Sequence, residues 1–168
     1  MEILLKAKPW QIFILLIIGL IVSNYTLVNN PIITSILSII GGVIYFIYPF
    51  SVGHCLQEYL PQKIKLSHNF FLFNTFIWAV IYSSITIISD GRGMNFSGLM
   101  AIPMLYVFFA FLHFLAFPAL TIKSIELNKK ASFGEYIGDF FLILFLPIGI
   151  WFLQPRIKQI LDNKEIID

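Results

Sequence analysis

Five apolar runs separated by short polar connectors make up most of the chain. The first covers residues 10–27 and follows Lys6, Lys8 and Pro9. Two lysines ahead of an apolar stretch from Ile12 to Val22 have the form of a signal peptide. Ser23-Asn24-Tyr25-Thr26 is a poor small-residue cleavage site, however, and further apolar runs follow, so a retained signal anchor is expected. The second run, residues 31–48, opens on Asn30-Pro31, a helix start with proline in the first turn. At about 1.5 Å per residue it crosses most of a hydrocarbon core about 30 Å thick. Pro49 is expected to kink this helix, which then continues amphipathically through His54 and Glu58 until Pro61 stops it. Ser38 and Gly42 form a small-xxx-small pair at which another helix can approach closely.

The third run, residues 70–89, has Ser67 as its N-cap candidate. Ser89-Asp90-Gly91-Arg92-Gly93 then reads as a tight turn; its GxG lacks the preceding strand and the lysine of a phosphate-binding loop. The fourth run, residues 99–122, carries Pro103 near its start and Pro118 near its end, and leads into a connector with Lys123, Glu126, Lys129 and Lys130. Ser132-Phe133-Gly134-Glu135 matches a capping box ahead of the fifth run, residues 136–153. Beyond Pro155-Arg156, Ile157, Ile160 and Leu161 share one helical face, which suits the membrane surface.

Composition agrees with this pattern. The 168 residues are 58% hydrophobic and 12% charged, about half the charged fraction of a soluble domain. No polar stretch is long enough for a second domain, so residues 1–168 read as one integral membrane domain without a soluble one. No basic stripe with interleaved aromatics points to nucleic acid. Cys55 is the single cysteine, which leaves neither a disulfide framework nor a cysteine metal site within one chain.

The expected fold is an all-α membrane bundle of four transmembrane helices plus a C-terminal segment that either re-enters or crosses as a fifth. Asp139 and Pro147-Ile148-Gly149 make the fifth run awkward as a plain span. With the N-terminus inside and four crossings, Lys6, Lys8, Lys63, Lys65, Lys123, Lys129 and Lys130 lie inside and Arg92 outside. A fifth crossing sends Arg156, Lys158 and Lys164 outside, whereas a turn at residues 147–149 keeps them inside. The bias of basic residues toward the inner side favours the turn, with a broken backbone that the four spans must bury. A cytoplasmic (inner) membrane location, multi-pass, with both termini inside follows.

The stretch FGEYIGDFFLILFLPIGIWFLQPRI, residues 133–157, resembles the C-terminal part of small uncharacterised bacterial multi-span membrane proteins. The resemblance covers about 25 residues and carries no activity with it, so it assigns no functional residue.

Ionisable residues at membrane depth are functional candidates because placing them there is costly. His113, amid Phe111, Phe114 and Phe117, could line a proton or substrate pathway, or could bond a neighbouring helix at Asn74, Ser83 or Ser84. His54 and Glu58, four apart on one helical face, could ligate a divalent metal together with His68, though the spacing is equally that of ordinary interfacial polar residues. Glu135 and Asp139 are also four apart and need a neutralising partner, with Arg156 or Lys130 in reach; a proton-binding pair is the sharper alternative. Gly134 and Gly138 beside them would allow close helix packing.

No residue here commits the chain to a catalytic, cofactor or metal site, and no cofactor is expected. The leading expectation is a non-enzymatic structural or accessory subunit of a membrane complex, in contact with lipid and with a protein partner or a second copy through helix packing. A small homo-oligomeric transporter or channel with a polar pathway near His113 is the second reading, and a lipid-modifying membrane enzyme the third.

Overall fold

The computed structural model describes residues 2–27, 29–90 and 94–165, and among these every regular element is helical. The elements are α1 (Glu2–Lys6), α2 (Pro9–Ser23), α3 (Pro31–Cys55), α4 (His68–Ile88), α5 (Ala101–Glu126), α6 (Phe133–Leu144) and α7 (Leu146–Glu165). Short 3-10 turns, Leu56–Tyr59 and Gly98–Met100, extend α3 and lead into α5. The Gly-Arg-Gly turn at 91–93 lies outside the described residues.

Three helices are long and apolar enough to cross a membrane: Pro31–Tyr59, His68–Ile88 and Ala101–Glu126. The first run falls short of expectation, because α2 stops at Ser23 after 15 residues, about 22 Å of helix against a core of about 30 Å. Side chains close its end: Ser38 Oγ donates to the Ser23 carbonyl at 3.0 Å, and Asn24 Nδ2 to that of Leu20 at 2.8 Å. The Ser38 bond gives the Ser23 carbonyl, at the last residue of α2, a partner from the next helix.

Asn30 caps α3 as expected, its side-chain oxygen accepting from the Ile33 N–H. The helix runs through Pro49 and ends in the 3-10 turn before Pro61. Ser67 occupies the N-cap position of α4 but makes no cap bond with its side chain.

Close packing of α2 against α3 centres on Gly41 rather than on the pair Ser38 and Gly42. A Cβ on Gly41 would lie 2.2 Å from the Ser23 nitrogen and 2.6 Å from the Gly19 oxygen. Gly42 points the other way, toward the Tyr82 ring of α4, 3.4 Å from where its Cβ would be.

The fifth run is two helices. The break comes at Phe145 (φ −100°, ψ 51°), two residues before the proline expected to make it. Pro147 instead sits in the first turn of α7, where a missing N–H costs nothing. Gly149 is needed because a Cβ there would stand 1.8 Å from the Leu142 carbonyl oxygen, so α6 and α7 pack backbone to backbone at the tip. Gly134 and Gly138, by contrast, face open space and take no part in close packing.

Leu146, Ile150, Leu153 and Ile157 form a fully buried stripe along α7, and Ile160 and Leu161 extend it. They share one core with Leu5 of α1, Ile12 and Leu16 of α2 and Tyr48, Val52 and Leu56 of α3. The tail face expected on the membrane surface is therefore interior. Its partners come from the other end of the chain, a pairing that helical periodicity does not encode.

Candidate functional site

The polar side chains of the hairpin gather at the end of the bundle where α5 stops and α6 starts. Asp139 lies one turn and a half into α6, 7% exposed. Arg156, on the returning helix, donates from Nη1 to Asp139 Oδ1 at 2.6 Å and from Nη2 to Oδ2 at 2.8 Å. The same guanidinium donates from Nε and Nη2 to the two carboxylate oxygens of Glu126 at 2.6 and 2.8 Å. Lys123 Nζ approaches Glu126 at 3.4 Å. One planar cation thus holds two carboxylates in bidentate fashion and ties together α5, α6 and α7. Both pairs raise the Arg156 pKa, the Asp139 bonds most. Sequence reasoning proposed the Asp139–Arg156 partnership and missed Glu126.

Glu135 does not share this network. Its Oε1 accepts from Lys129 Nζ at 2.7 Å, and its Oε2 from the Ser132 N–H at 2.7 Å, closing the capping box. The Lys129 bond first, and the Ser132 bonds next, hold its carboxyl at about 2. Lys129, rather than Lys130, is the neutralising partner.

Gln154, one residue before Pro155, is fully buried. Its Nε2 donates to the carbonyls of Leu5 at 2.7 Å and Ala7 at 2.8 Å, with Leu4 at 3.3 Å. Its Oε1 accepts from the Tyr48 hydroxyl at 2.6 Å. A single amide therefore closes the carbonyl end of α1 and joins it to α3 and α7. No charge or motif marks this glutamine in the sequence; a lone amide inside an apolar run was the available signal.

His113, half-buried on α5, meets Asn74 of α4, with Asn74 Nδ2 3.4 Å from its Nδ1. Asn74 is fully buried and otherwise occupied, donating to the Phe70 carbonyl at 3.0 Å and accepting from the Tyr106 hydroxyl at 2.9 Å. Of the three partners considered for His113, Asn74 is the one in contact; the Ser84 hydroxyl bonds back to Val80. Phe70 and Phe109 flank the imidazole, at 4.9 and 6.1 Å between ring centroids. This polar cluster joins α4 to α5.

His54 and His68 come together, Nδ1 to Nε2 at 3.0 Å, with Phe50 stacked on the first ring and Phe71 on the second. Glu58 does not complete a triad, and among the described residues no three His, Cys, Asp or Glu side chains gather as a metal set. A cavity of about 640 Å³ opens beside Arg156, with Glu58, Gln62, Glu126, Gln159 and Asn163 on its walls.

Comparison with protein-family models, curated proteins and solved structures finds no match for this chain. Its functional reading rests on its own geometry.

Proposed function

We propose that the chain is a non-enzymatic multi-pass membrane protein, a structural or accessory component of a membrane assembly recognised through helix packing. The observation that carries this reading is how the hairpin's polar groups are spent. Arg156 gives its donors to Asp139 and Glu126, and Gln154 gives its amide to Tyr48 and the α1 carbonyls. Groups that serve a substrate keep a face turned toward it; these turn theirs to neighbouring helices. The outer faces carry large apolar side chains such as Phe73, Phe76, Phe108, Phe109 and Trp151, suited to lipid and to a partner helix or a second copy.

The proposed topology has four crossings, α2 to α5, in a cytoplasmic (inner) membrane with the N-terminus inside. The hairpin of α6 and α7 enters and leaves by the inner face. Three observations support it. Gln154 of α7 lies on the α1 carbonyls, so the returning helix passes beside the start of the chain. Arg156 lies on Glu126, at the end of α5 from which the hairpin departs. The 12 residues of α6 reach about 18 Å, part of the way across, and at its tip Leu146 is fully buried while Phe145 and Ile148 are exposed. In α2 the four residues after Ser23 complete the crossing, tied to α3 by the Thr34 hydroxyl, which accepts from the Leu27 N–H at 2.9 Å.

A second reading, a small homo-oligomeric transporter or channel, draws on His113. Its neighbours Phe70 and Phe109 are 42% and 48% exposed, so a polar path there would form between copies. Purification in mild detergent separates the two. A stable complex with a different membrane protein supports the accessory-subunit reading, and a lone homo-oligomer with proton flux lost in His113→Phe supports transport.

A further inference from the structure

His54 and His68 stand at the two ends of the connection between α3 and α4. The first lies in the last turn of α3, and the second is the first residue of α4. Both fall outside the apolar runs 31–48 and 70–89, at the end of the bundle that carries Lys63 and Lys65, and His54 is exposed. Residues 56–67 make the loop between the helices. His54 Nδ1 and His68 Nε2 meet at 3.0 Å, so one side-chain contact closes this loop at its base. Stacked rings hold the pair in place: Phe50 on His54, and Phe71 and Phe117 on His68.

A 3.0 Å contact between two imidazoles requires a proton on one nitrogen and a lone pair on the other. Two neutral rings meet that condition. A pair with one charged ring meets it too, with a charge-assisted bond. Two charged rings do not, because N–H then faces N–H and like charges adjoin. The helix ends set the order of protonation. A cation is favoured in the C-terminal turn of α3 and disfavoured at the N-terminus of α4, where Ser67 supplies no side-chain cap. The first proton therefore belongs to His54, whose Nδ1–H donates to His68, and the second must enter His68 against it. Around the pair, Glu58 lies one turn beyond His54 and acts, with Glu2 of α1, on the adjacent Cys55. Lys63 and Lys65 lie on the loop, and α4 and α5 present the rings of Phe71 and Phe117.

We propose that the His54–His68 contact is an acid-sensitive clasp on the loop between α3 and α4, closed while the pair holds at most one extra proton and open once both rings are charged. Opening is local, because Leu56, Ile64 and Phe71 are buried and keep the loop and α4 in the core. It frees the base of the loop and the first turn of α4. The same loop supplies Glu58 and Gln62 to the wall of the cavity beside Arg156, so acidification acts on that wall.

The test is amide hydrogen exchange at Ser67 and in the first turn of α4, in the full chain in detergent micelles, with parent and variant compared at the same pH. His54→Phe keeps a ring beside Phe50 and removes the nitrogen. At about pH 8 the parent should exchange about fivefold more slowly than His54→Phe, the worth of one hydrogen bond. At about pH 4.5, well below the ordinary imidazole range, the two should be equal. His68→Phe should behave as His54→Phe does, and the double variant should lose no more than either. Equal exchange at the higher pH, or a difference that persists at the lower, overturns the proposal. Should neither variant fold, the imidazole nitrogen signals of the parent decide: the pair should take up its protons in two separate steps, and a single shared step overturns the proposal as well.

Discussion

Arg156 and Asp139, 17 residues apart, face each other across the hairpin through two hydrogen bonds of 2.6 and 2.8 Å. Had residues 133–165 formed one continuous helix, about 25 Å would separate them. The pair exists because the chain reverses at Phe145, and Glu126 on the same guanidinium ties the middle of the reversed helix to the end of α5.

Arg156→Gln should therefore destabilise the protein by about 2–4 kcal/mol in detergent unfolding, since it leaves the buried Asp139 without a cation and Glu126 with Lys123 alone. Asp139→Asn should cost less, because Glu126 still holds the guanidinium. Exchanging the charges, Asp139→Arg with Arg156→Asp, should restore little, since the new Asp would face Glu126. Adding Glu126→Gln to the exchange should recover stability. Full recovery from the two-residue exchange alone would mean Glu126 contributes nothing.

Gln154→Leu keeps the side chain's bulk but strands the Tyr48 hydroxyl and the carbonyls of Leu5 and Ala7. The expected loss is about 2–4 kcal/mol, against about 1–2 kcal/mol for Tyr48→Phe. The double variant should lose less than the sum, because the Tyr48–Gln154 bond is then counted once. Additive losses would show that the two side chains act separately.

Two glycines of the hairpin should respond in opposite ways. Gly149→Ala drives a Cβ into the Leu142 carbonyl and should open the tip, with a loss of about 3 kcal/mol or more or no folded protein. Gly138→Ala meets nothing within 4 Å and should stabilise α6 by about 0.5–1 kcal/mol. Comparable melting temperatures for the two variants would contradict the hairpin packing.

Much of this architecture is legible in the sequence where local chemistry sets it. The Asn30 cap, the start of α3 and the Ser132–Glu135 box follow from residues within one turn of each other. The Asp139–Arg156 pair is legible because charges in an apolar run need partners. Glu126 escapes notice because it lies 30 residues from Arg156 in a lysine-rich connector. Gln154 carries no charge, and its partners at Leu5 and Ala7 are nearly the whole chain away. Ile157, Ile160 and Leu161 show their shared face plainly, but what covers it is set by α1 and α2. The break falls at Phe145 because Pro147 is used to begin a helix and Gly149 to pack one; neither residue needs to be the turn.

Glu135 gives the protein a pH signature. Its carboxyl is held at about 2, below the usual 4.5, by Lys129 and Ser132, so its contribution is complete above the ordinary carboxylate range. That contribution is lost as pH falls through about 2. The stability difference between the parent and Glu135→Gln should be constant at neutral pH, begin to shrink below about pH 4.5 and vanish near pH 2. A difference that does not change across this interval would contradict the bonded geometry.

The central claim, that the hairpin returns to the face from which it came, is tested most directly by labelling single cysteines from either side of the membrane. In a Cys55→Ser background, Asn95→Cys and Asn163→Cys are compared, both exposed positions. A membrane-impermeant maleimide applied to intact cells should label Asn95→Cys and spare Asn163→Cys, with the pattern reversed in inside-out vesicles. The native Cys55, in the parent, should behave like Asn163→Cys. Labelling of Asn163→Cys from the same side as Asn95→Cys would mean that the last segment crosses the membrane, and would contradict the account.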